Sequence, residues 1–319
     1  MNRKACVVVN PRSAGGATGR RLDILASLVE QVLPGSDILC TERAGHATSL
    51  VRRALGEDSH DVVVSVGGDG TANECVNGFF VEGEPVATQM GLAVIKAGTG
   101  CDLVRTLEMP AELRHAVQWV RDRPFVPTDV LRCHYRDHEG RAGCRMGLNM
   151  VGFGLEGESV AIANRSSKRF GGKMTFFVST MRARLRYREP EVHISWTDTR
   201  EQHNTWQGPL LNAFVANARY AGGGMLLGER ADMTDGFADL TCIPKVSLRT
   251  TARVIPALYR GGLHGIDGVQ AARLTSLEAR AVGDTPVLFD IDGEQPGTLP
   301  VRIEVLPRAI KLIGRHAGD

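Results

Sequence analysis

Val62-Val63-Val64-Ser65-Val66-Gly67-Gly68-Asp69-Gly70-Thr71-Ala72-Asn73-Glu74-Cys75-Val76-Asn77 is the stretch from which the rest of the chain can be read. Val62 to Val66 is a short β-branched run, the pattern of a strand buried on both faces of a parallel sheet. Gly67, Gly68 and Gly70 follow at once, where the absence of a side chain lets the backbone turn tightly and lets a ligand approach the amides. Thr71 with Glu74 three residues later reads as a capping box, so a helix is expected to begin there. A strand, a glycine turn and a helix N-terminus direct several N–H groups at one spot, which suits a phosphate. The pattern reads as a nucleotide site, with Asp69 among the glycines and no Walker lysine.

Working outward, the first part of the chain alternates strand and helix. Cys6 to Val9 is a strand, followed by the turn Asn10-Pro11-Arg12-Ser13-Ala14-Gly15-Gly16. A helix is predicted from about Arg20 to Val32, with Leu22, Leu25, Leu28 and Val29 on one face. Ile38 and Leu39 read as a second strand ending at Thr41, and Thr48 to Leu55 as a helix. Leu92 to Ile95 is another buried strand, after which Gly98-Thr99-Gly100 opens a helix near Asp102. This is a doubly wound α/β layout, with ligand turns expected at the carboxyl ends of the strands. Pro124 and Pro127 punctuate a change of texture. From Asp129 the runs are short and alternating (Val130 to Tyr135, Val192 to Trp196, Leu211 to Ala216, Leu240 to Ile243), the signature of an antiparallel β domain. The predicted organisation is a nucleotide-binding domain over 1–127, a β domain over 128–302, and C-terminal strands over 303–319 that return to the first domain.

Bulk composition fits an enzyme that does not span a bilayer. The 319 residues suffice for two domains, and 43% hydrophobic with 23% charged residues is ordinary for globular chains. A net charge of +2 gives no global attraction to nucleic acid, and none is expected as a partner. Seven scattered cysteines, odd in number and never spaced Cys-x-x-Cys, argue for reduced thiols in a cytoplasm over a disulfide frame or a zinc site. No apolar run approaches the roughly 18 residues of a membrane span.

Several blocks then stand in a fixed order: Asn10-Pro11-Arg12-Ser13, Gly67-Gly68-Asp69-Gly70-Thr71 with Asn73-Glu74 and Asn77-Gly78, Gly98-Thr99-Gly100 with Asp102 and Arg105, Asn217 with Gly222-Gly223-Gly224, Asp235-Gly236, and Asp292-Gly293-Glu294. Over nearly its whole length the chain resembles the bacterial diacylglycerol kinase-like lipid kinases, related to sphingosine and ceramide kinases. Gly-Gly-Asp-Gly alone also occurs in NAD kinases and phosphofructokinases; the ordered set is what carries the resemblance. It implies an NAD-kinase/phosphofructokinase-like α/β domain followed by an antiparallel β-sandwich. It also implies that ATP is touched by Asn10, Pro11, Arg12, Ser13 and Ala14, by Thr41, by Gly67, Gly68, Asp69, Gly70, Thr71 and Asn73, and by Thr99. Mg²⁺ would be held by Asp235 with main-chain oxygens of Asp232 and Phe237, and Glu294 would be the general base.

The residues can be asked to support these roles. A bare carboxylate such as Asp69 is repelled by phosphates unless a cation intervenes or loop amides cap it, so it is expected to organise magnesium or the loop. Lys96 and Cys101 stand where the family usually has proline and asparagine, which implies altered nucleotide affinity or preference. Lys96 either neutralises a phosphate oxygen or snorkels at the surface, while Cys101 lacks the strong donor and acceptor of an amide. Asp235-Gly236 reads equally as a turn before a strand from Phe237 to Ile243. Asp290, Asp292 and Glu294 would line up on one face if their strand continued, raising one another's proton affinity. Asp292-Gly293 as a hairpin turn would leave Glu294 solvated instead.

Between Ser159 and Arg188 lie eight basic residues (Arg165, Lys168, Arg169, Lys173, Arg182, Arg184, Arg186, Arg188) and no acidic one, interleaved with Phe170, Met174, Phe177, Met181 and Leu185. An apolar stripe beside a basic face is how a protein docks on an anionic bilayer; an ordinary helix packed on the β domain is the alternative. Gly152-Phe153-Gly154-Leu155-Glu156-Gly157 matches a dinucleotide fingerprint but lacks its context, and is read as a turn near a lipid pocket. The expectation is an ATP- and Mg²⁺-dependent kinase of a membrane lipid, with diacylglycerol as acceptor because Thr71 fits that branch. The enzyme would be cytoplasmic and peripheral at the membrane. A ceramide or sphingoid-base acceptor, a non-catalytic lipid-binding protein and a homodimeric assembly stay open.

Overall fold

The computed structural model of the chain describes residues 3–97, 101–165 and 187–314. Two compact units emerge, Met1–Thr128 with Arg308–Asp319, and Asp129–Pro307.

In the first unit, β1 (Ala5–Val9), β2 (Asp37–Cys40), β3 (Val62–Gly67) and β4 (Gly91–Lys96) form a parallel sheet in the order β2-β1-β3-β4. Leu312, near the end of the chain, pairs in parallel beside Leu92 of β4. Every residue of β1 and β3 is buried, which is why both read as unbroken valine-rich runs with no polar alternation. Each such valine contributes roughly 1.5–3 kcal/mol of burial, opposed by the entropy of ordering the chain.

The helices are α1 (Leu22–Val32), α2 (His46–Glu57), α3 (Asp69–Gly78), α4 (Asp102–Thr106) and α5 (Leu113–Asp122). α1 buries Leu25, Leu28, Val29 and Val32, the stripe expected of its spacing. The chain steps from β1 outward to β2, then returns across β1 to β3. With right-handed crossovers this places successive helices on opposite faces, and α1 accordingly packs with α5 while α2 packs with α3. The reversal makes the carboxyl ends of β1 and β3 the topological switch point, where open α/β sheets bind ligands.

One local expectation is corrected. α3 begins at Asp69, two residues before Thr71, with Gly68 as its N-cap and no side-chain cap. The capping box does not form because both of its members have tertiary partners. Thr71 Oγ1 accepts from Asn10 Nδ2 at 3.2 Å, and Glu74 Oε2 accepts from the Ala47 amide of α2 at 3.1 Å.

In the second unit the strands are β5 (Val126–Asp137), β6 (Ala142–Gly147), β7 (Met150–Gly154), β8 (Glu191–Asp198), β9 (His203–Ala216), β10 (Ala238–Pro244), β11 (Gln270–Ala281), β12 (Leu288–Ile291) and β13 (Glu294–Leu312). Their registered pairings within this unit are antiparallel: β5–β6, β7 with β9 and β12, β8 with β9 and β11, β9–β10, β10–β11, β11–β13 and β12–β13. β9 serves two cores at once. Leu210, Ala213 and Val215 join Phe153, Ile194, Leu277 and Phe289, while Leu211, Phe214 and Ala216 join Met150, Ile243 and Val254. A register shift between Leu210 and Asn212 resets the alternation.

Two helices interrupt the β pattern, α6 (Leu155–Arg165) and α7 (Leu248–Arg260). The Gly152-to-Gly157 segment is therefore the junction of β7 and α6, and the free turn expected there is absent. The second unit also runs to Pro307, past the boundary read at 302, because β13 passes through that position as continuous strand. The apolar-and-basic stripe read between Ser159 and Arg188 lies, over 166–186, outside the described residues.

Candidate active site

The turns expected to meet nucleotide lie at the switch point of the first unit. Val9 is registered opposite Val66, so β1 and β3 end side by side. The Asn10 amide donates to the Val66 carbonyl at 3.0 Å, and the Asn10 side chain donates across to Thr71, tying the first turn to the glycine loop. Asn10 Oδ1 also accepts the Arg12 amide at 3.0 Å, while the Ser13 amide and hydroxyl donate to the Asn10 carbonyl at 3.2 and 2.9 Å. Pro11 is held through its carbonyl, which accepts the Gly19 amide at 3.1 Å.

Ala14, Gly15 and Gly16 follow with φ of 52°, 63° and 85°. A left-handed alanine is disfavoured, and such backbone is retained where a site requires it. Thr41 is brought to the same edge by its amide, which donates to the Val9 carbonyl at 2.8 Å. Gly67, Gly68, Gly70 and Thr71 complete the rim. Asn73 lies buried inside α3, where its carbonyl accepts from Asn77 Nδ2 at 2.7 Å. Thr99 lies outside the described residues.

A Cβ at Gly67 would sit 2.5 Å from Thr71 Oγ1, the atom that receives Asn10. Gly67→Ala is therefore expected to weaken ATP binding about tenfold or more, the cost of about one lost hydrogen bond, without unfolding the chain. Titration calorimetry checks this; unchanged affinity removes the Asn10–Thr71 link from the nucleotide site.

Asp69 is spoken for by amides. Its Oδ2 accepts the Asp102 amide at 3.0 Å and its Oδ1 the Leu103 amide at 3.2 Å, so it caps the start of α4. Of the two roles expected from the sequence, loop organisation is the one this geometry serves. Burial raises the Asp69 carboxyl above its ordinary value, with the two amides acting against that. Cys101 joins the same carboxylate, its Sγ donating to Oδ1 at 3.4 Å. Burial, then the adjacent Asp69 charge, pushes the thiol well up and keeps it protonated as a donor. Cys101, which stands where the family usually has asparagine, thus contacts the loop aspartate. Lys96 ends β4 with its side chain exposed.

In the second unit, Asp292 and Gly293 have φ of 50° and 84°, and Ile291 pairs with Glu294 across them. This is a two-residue hairpin turn, so the continuous strand with three carboxylates on one face does not form. Asp292 instead locks the turn onto the β6–β7 connection: its carboxylate accepts the Leu148, Asn149 and Met150 amides at 2.8, 2.8 and 2.9 Å. Glu294 stands exposed on this anchored turn.

Asp290 is buried and meets a different acid. A Cβ on Gly152 would touch both Glu156 Oε2 and Asp290 Oδ1, the latter at 2.9 Å, and neither oxygen has a hydrogen-bond partner among the described residues. Glu156 and Asp290 are therefore a buried acid pair between α6 and β12. Burial is the first cause of the rise of both, followed by the neighbouring carboxylate for Glu156, and Asp290 is pushed up to about 8.

The expected metal ligands lie in the turn before β10. Asp232 Oδ1 accepts the Thr234 amide and hydroxyl at 3.0 and 2.7 Å. Asp235 Oδ1 accepts the Phe237 amide at 3.0 Å, and its Oδ2 is ion-paired to Arg273 Nη2. Both oxygens of the one expected carboxylate ligand are thus occupied by donors, one of them cationic. Among the described residues no three His, Cys, Asp or Glu side chains are grouped to hold a metal ion. With a guanidinium already on its Oδ2, the Asp235 carboxylate does not fit the role of a resident magnesium ligand.

Sequence reasoning missed Arg273, Glu156 and Asp129, whose Oδ2 accepts the Gly236 amide at 2.7 Å. Asp235 and Arg273 are 38 residues apart, and only strand pairing joins them.

A parallel sheet with its switch-point turns locked together, followed by an antiparallel β unit carrying anchored carboxylates, is an architecture in which a ligand is expected at the switch point. Residues 4–133 match the diacylglycerol kinase catalytic domain, and residues 149–314 match the YegS C-terminal NAD kinase beta sandwich-like domain. A diacylglycerol kinase of Staphylococcus carnosus (strain TM300) is 25% identical over 98% of this chain and 95% of its own length. A protein of Xanthomonas campestris pv. campestris (strain 8004) named "Probable lipid kinase YegS-like" is 25% identical over 86% of this chain and 85% of its own. A crystal structure of a diacylglycerol kinase from Bacillus anthracis str. Sterne shares the fold with a TM-score of 0.71, at 20% identity, covering 98% of this chain and 97% of that one. The chain belongs to the diacylglycerol kinase and YegS family and is a lipid kinase, with ATP the substrate that such a kinase implies. No helix among the described residues is long and apolar enough to cross a membrane.

Proposed function

We propose that the chain transfers the γ-phosphate of ATP, supplied as its magnesium complex, to the free hydroxyl of diacylglycerol, giving phosphatidic acid and ADP. The observation that carries the nucleotide half is the Asn10–Thr71 link, which holds two amide-bearing turns together at the switch point. Phosphoryl transfer asks the protein mainly for positioning and charge neutralisation, with one group to take the alcohol's proton. The new bond joins the acceptor oxygen to Pγ, the bond from Pγ to the β-bridging oxygen breaks, and Glu294 receives the hydroxyl proton. Glu294 suits this because it is exposed to an incoming substrate yet fixed by the Asp292 clamp. Diacylglycerol is favoured by Thr71, as read from the sequence, and by the names of the relatives.

The basic and apolar stretch from Ser159 to Arg188 is proposed to bring the enzyme to an anionic membrane surface. One assay tests both parts: radiolabelled ATP with vesicles carrying diacylglycerol, monoacylglycerol, sphingosine or ceramide, with and without anionic lipid, at rising salt. Diacylglycerol should be the best acceptor, with turnover that needs anionic lipid and falls with ionic strength. Preference for ceramide or sphingosine overturns the acceptor, salt-insensitive turnover overturns the docking, and no transfer to any lipid overturns the reading.

A further inference from the structure

We infer that Arg273 takes the place of a metal ion at Asp235, so that the turn from Asp232 to Phe237 is held by a guanidinium and binds no magnesium of its own. Arg273 lies on β11 directly opposite Asp239 of β10 in the registered ladder, and its Nε is 3.4 Å from Asp239 Oδ1. Its Nη2 pairs with Asp235 Oδ2, and its guanidinium carbon lies 5.1 Å from the centre of the Phe237 ring. One rigid planar cation therefore bridges the turn to the strand that follows it and stacks on the residue between them, an arrangement a guanidinium supports better than a lysine would.

The carboxylates are also held from their other sides. Asp235 Oδ1 takes the Phe237 amide, and Asp239 Oδ2 takes the Arg230 amide at 3.1 Å. A magnesium ion at Asp235 would have to coordinate beside a fixed positive charge while demanding near-octahedral oxygen ligands, and like charges repel strongly in a partly buried site. The guanidinium neutralises the pair permanently; the magnesium in the reaction arrives with the nucleotide.

The test uses the full chain without nucleotide or lipid, so its result does not depend on the proposed acceptor. Thermal unfolding is followed with rising MgCl₂ against salt of matched ionic strength, for the wild type, Arg273→Ala, Asp235→Asn and the double variant. The wild type should show no saturable magnesium effect. Arg273→Ala should be less stable and should gain a saturable rise in Tm on the order of 5 °C once metal well exceeds Kd, a gain that Asp235→Asn cancels. A wild-type chain that magnesium stabilises saturably, with the effect lost in Asp235→Asn, overturns the inference. So does an Arg273→Ala variant that folds but remains indifferent to magnesium. If Arg273→Ala does not fold, Mn²⁺ titration of wild type against Asp235→Asn by electron paramagnetic resonance decides it: no bound ion attributable to Asp235 supports the inference, and one such ion per chain refutes it.

Discussion

Glu294→Gln is expected to lower phosphoryl transfer to lipid by about 10²- to 10⁴-fold, the range a positioned general base supplies. The substitution keeps shape and hydrogen bonding at an exposed position, so its effect on stability should stay within about 0.5 kcal/mol. The turn that carries Glu294 does not rely on that side chain. It is fixed by Asp292, which accepts three consecutive amides from Leu148 to Met150, and by the Asp292 amide, which donates to the Met150 carbonyl at 3.0 Å. The glutamine variant should therefore melt with the wild type, bind ATP with unchanged affinity, and fail only at transfer. Single-turnover assays with saturating ATP and lipid in mixed micelles separate these steps. Turnover within a few-fold of wild type removes Glu294 from the mechanism, and a large fall in Tm or in ATP affinity reassigns it to structure.

The first unit was largely legible because its strands are buried on both faces and each ends in a turn with distinctive chemistry. Val62 to Val66 and Leu92 to Ile95 are strands of the parallel order β2-β1-β3-β4, and the Asn10 turn leaves the carboxyl end of β1. What failed there was local pairing. Thr71 and Glu74 have the spacing of a capping box, but their partners Asn10 and Ala47 are distant in sequence, and the tertiary hydrogen bonds outcompeted the local ones.

In the second unit the strands were visible but their joints were not. α7 carries Pro256 in its interior, which hid it. Its Ser247 cap, accepting the Thr250 amide at 3.1 Å, and the Gly261 that follows its last residue were signals that could have revealed it. The sequence left the 290–294 segment open between a strand with an acidic face and a hairpin, and the left-handed Asp292 and Gly293 decide for the hairpin. Register alone makes Arg273 the neighbour of Asp239, and the packing of α6 on β12 alone makes Glu156 the neighbour of Asp290. Pairings of that kind follow from topology and have no local signature.

That last pair should make stability fall as pH rises. Asp290 and Glu156 are 4% and 7% exposed, and each has one oxygen without a hydrogen-bond donor among the described residues. Burial disfavours charge on both. Asp292 and Glu294 raise Asp290 further, while the Gly293 amide, donating to Asp290 Oδ2 at 3.1 Å, acts against the rise. The Asp290 carboxyl is pushed from 3.8 to about 8 in the folded chain. The folded state therefore holds a proton that the unfolded state has released over the interval between those values. With fewer protons bound in the unfolded state, ∂ΔG/∂pH for unfolding is negative. The contribution is fully present below the unfolded value and is lost as pH climbs toward about 8, at roughly 1.4 kcal/mol per pH unit for one proton. Asp290→Asn removes that charge while its carboxamide oxygen can still accept from Gly293 and its NH₂ can donate to Glu156. The stability of the variant relative to wild type should rise steadily from pH 5 toward pH 8.5, as the wild type loses the contribution of the proton. Urea denaturation of both chains at pH 5, 7 and 8.5 measures the difference directly, with titrations elsewhere in the molecule cancelling between them. A difference that does not change with pH would mean that Asp290 holds no such proton in the folded protein.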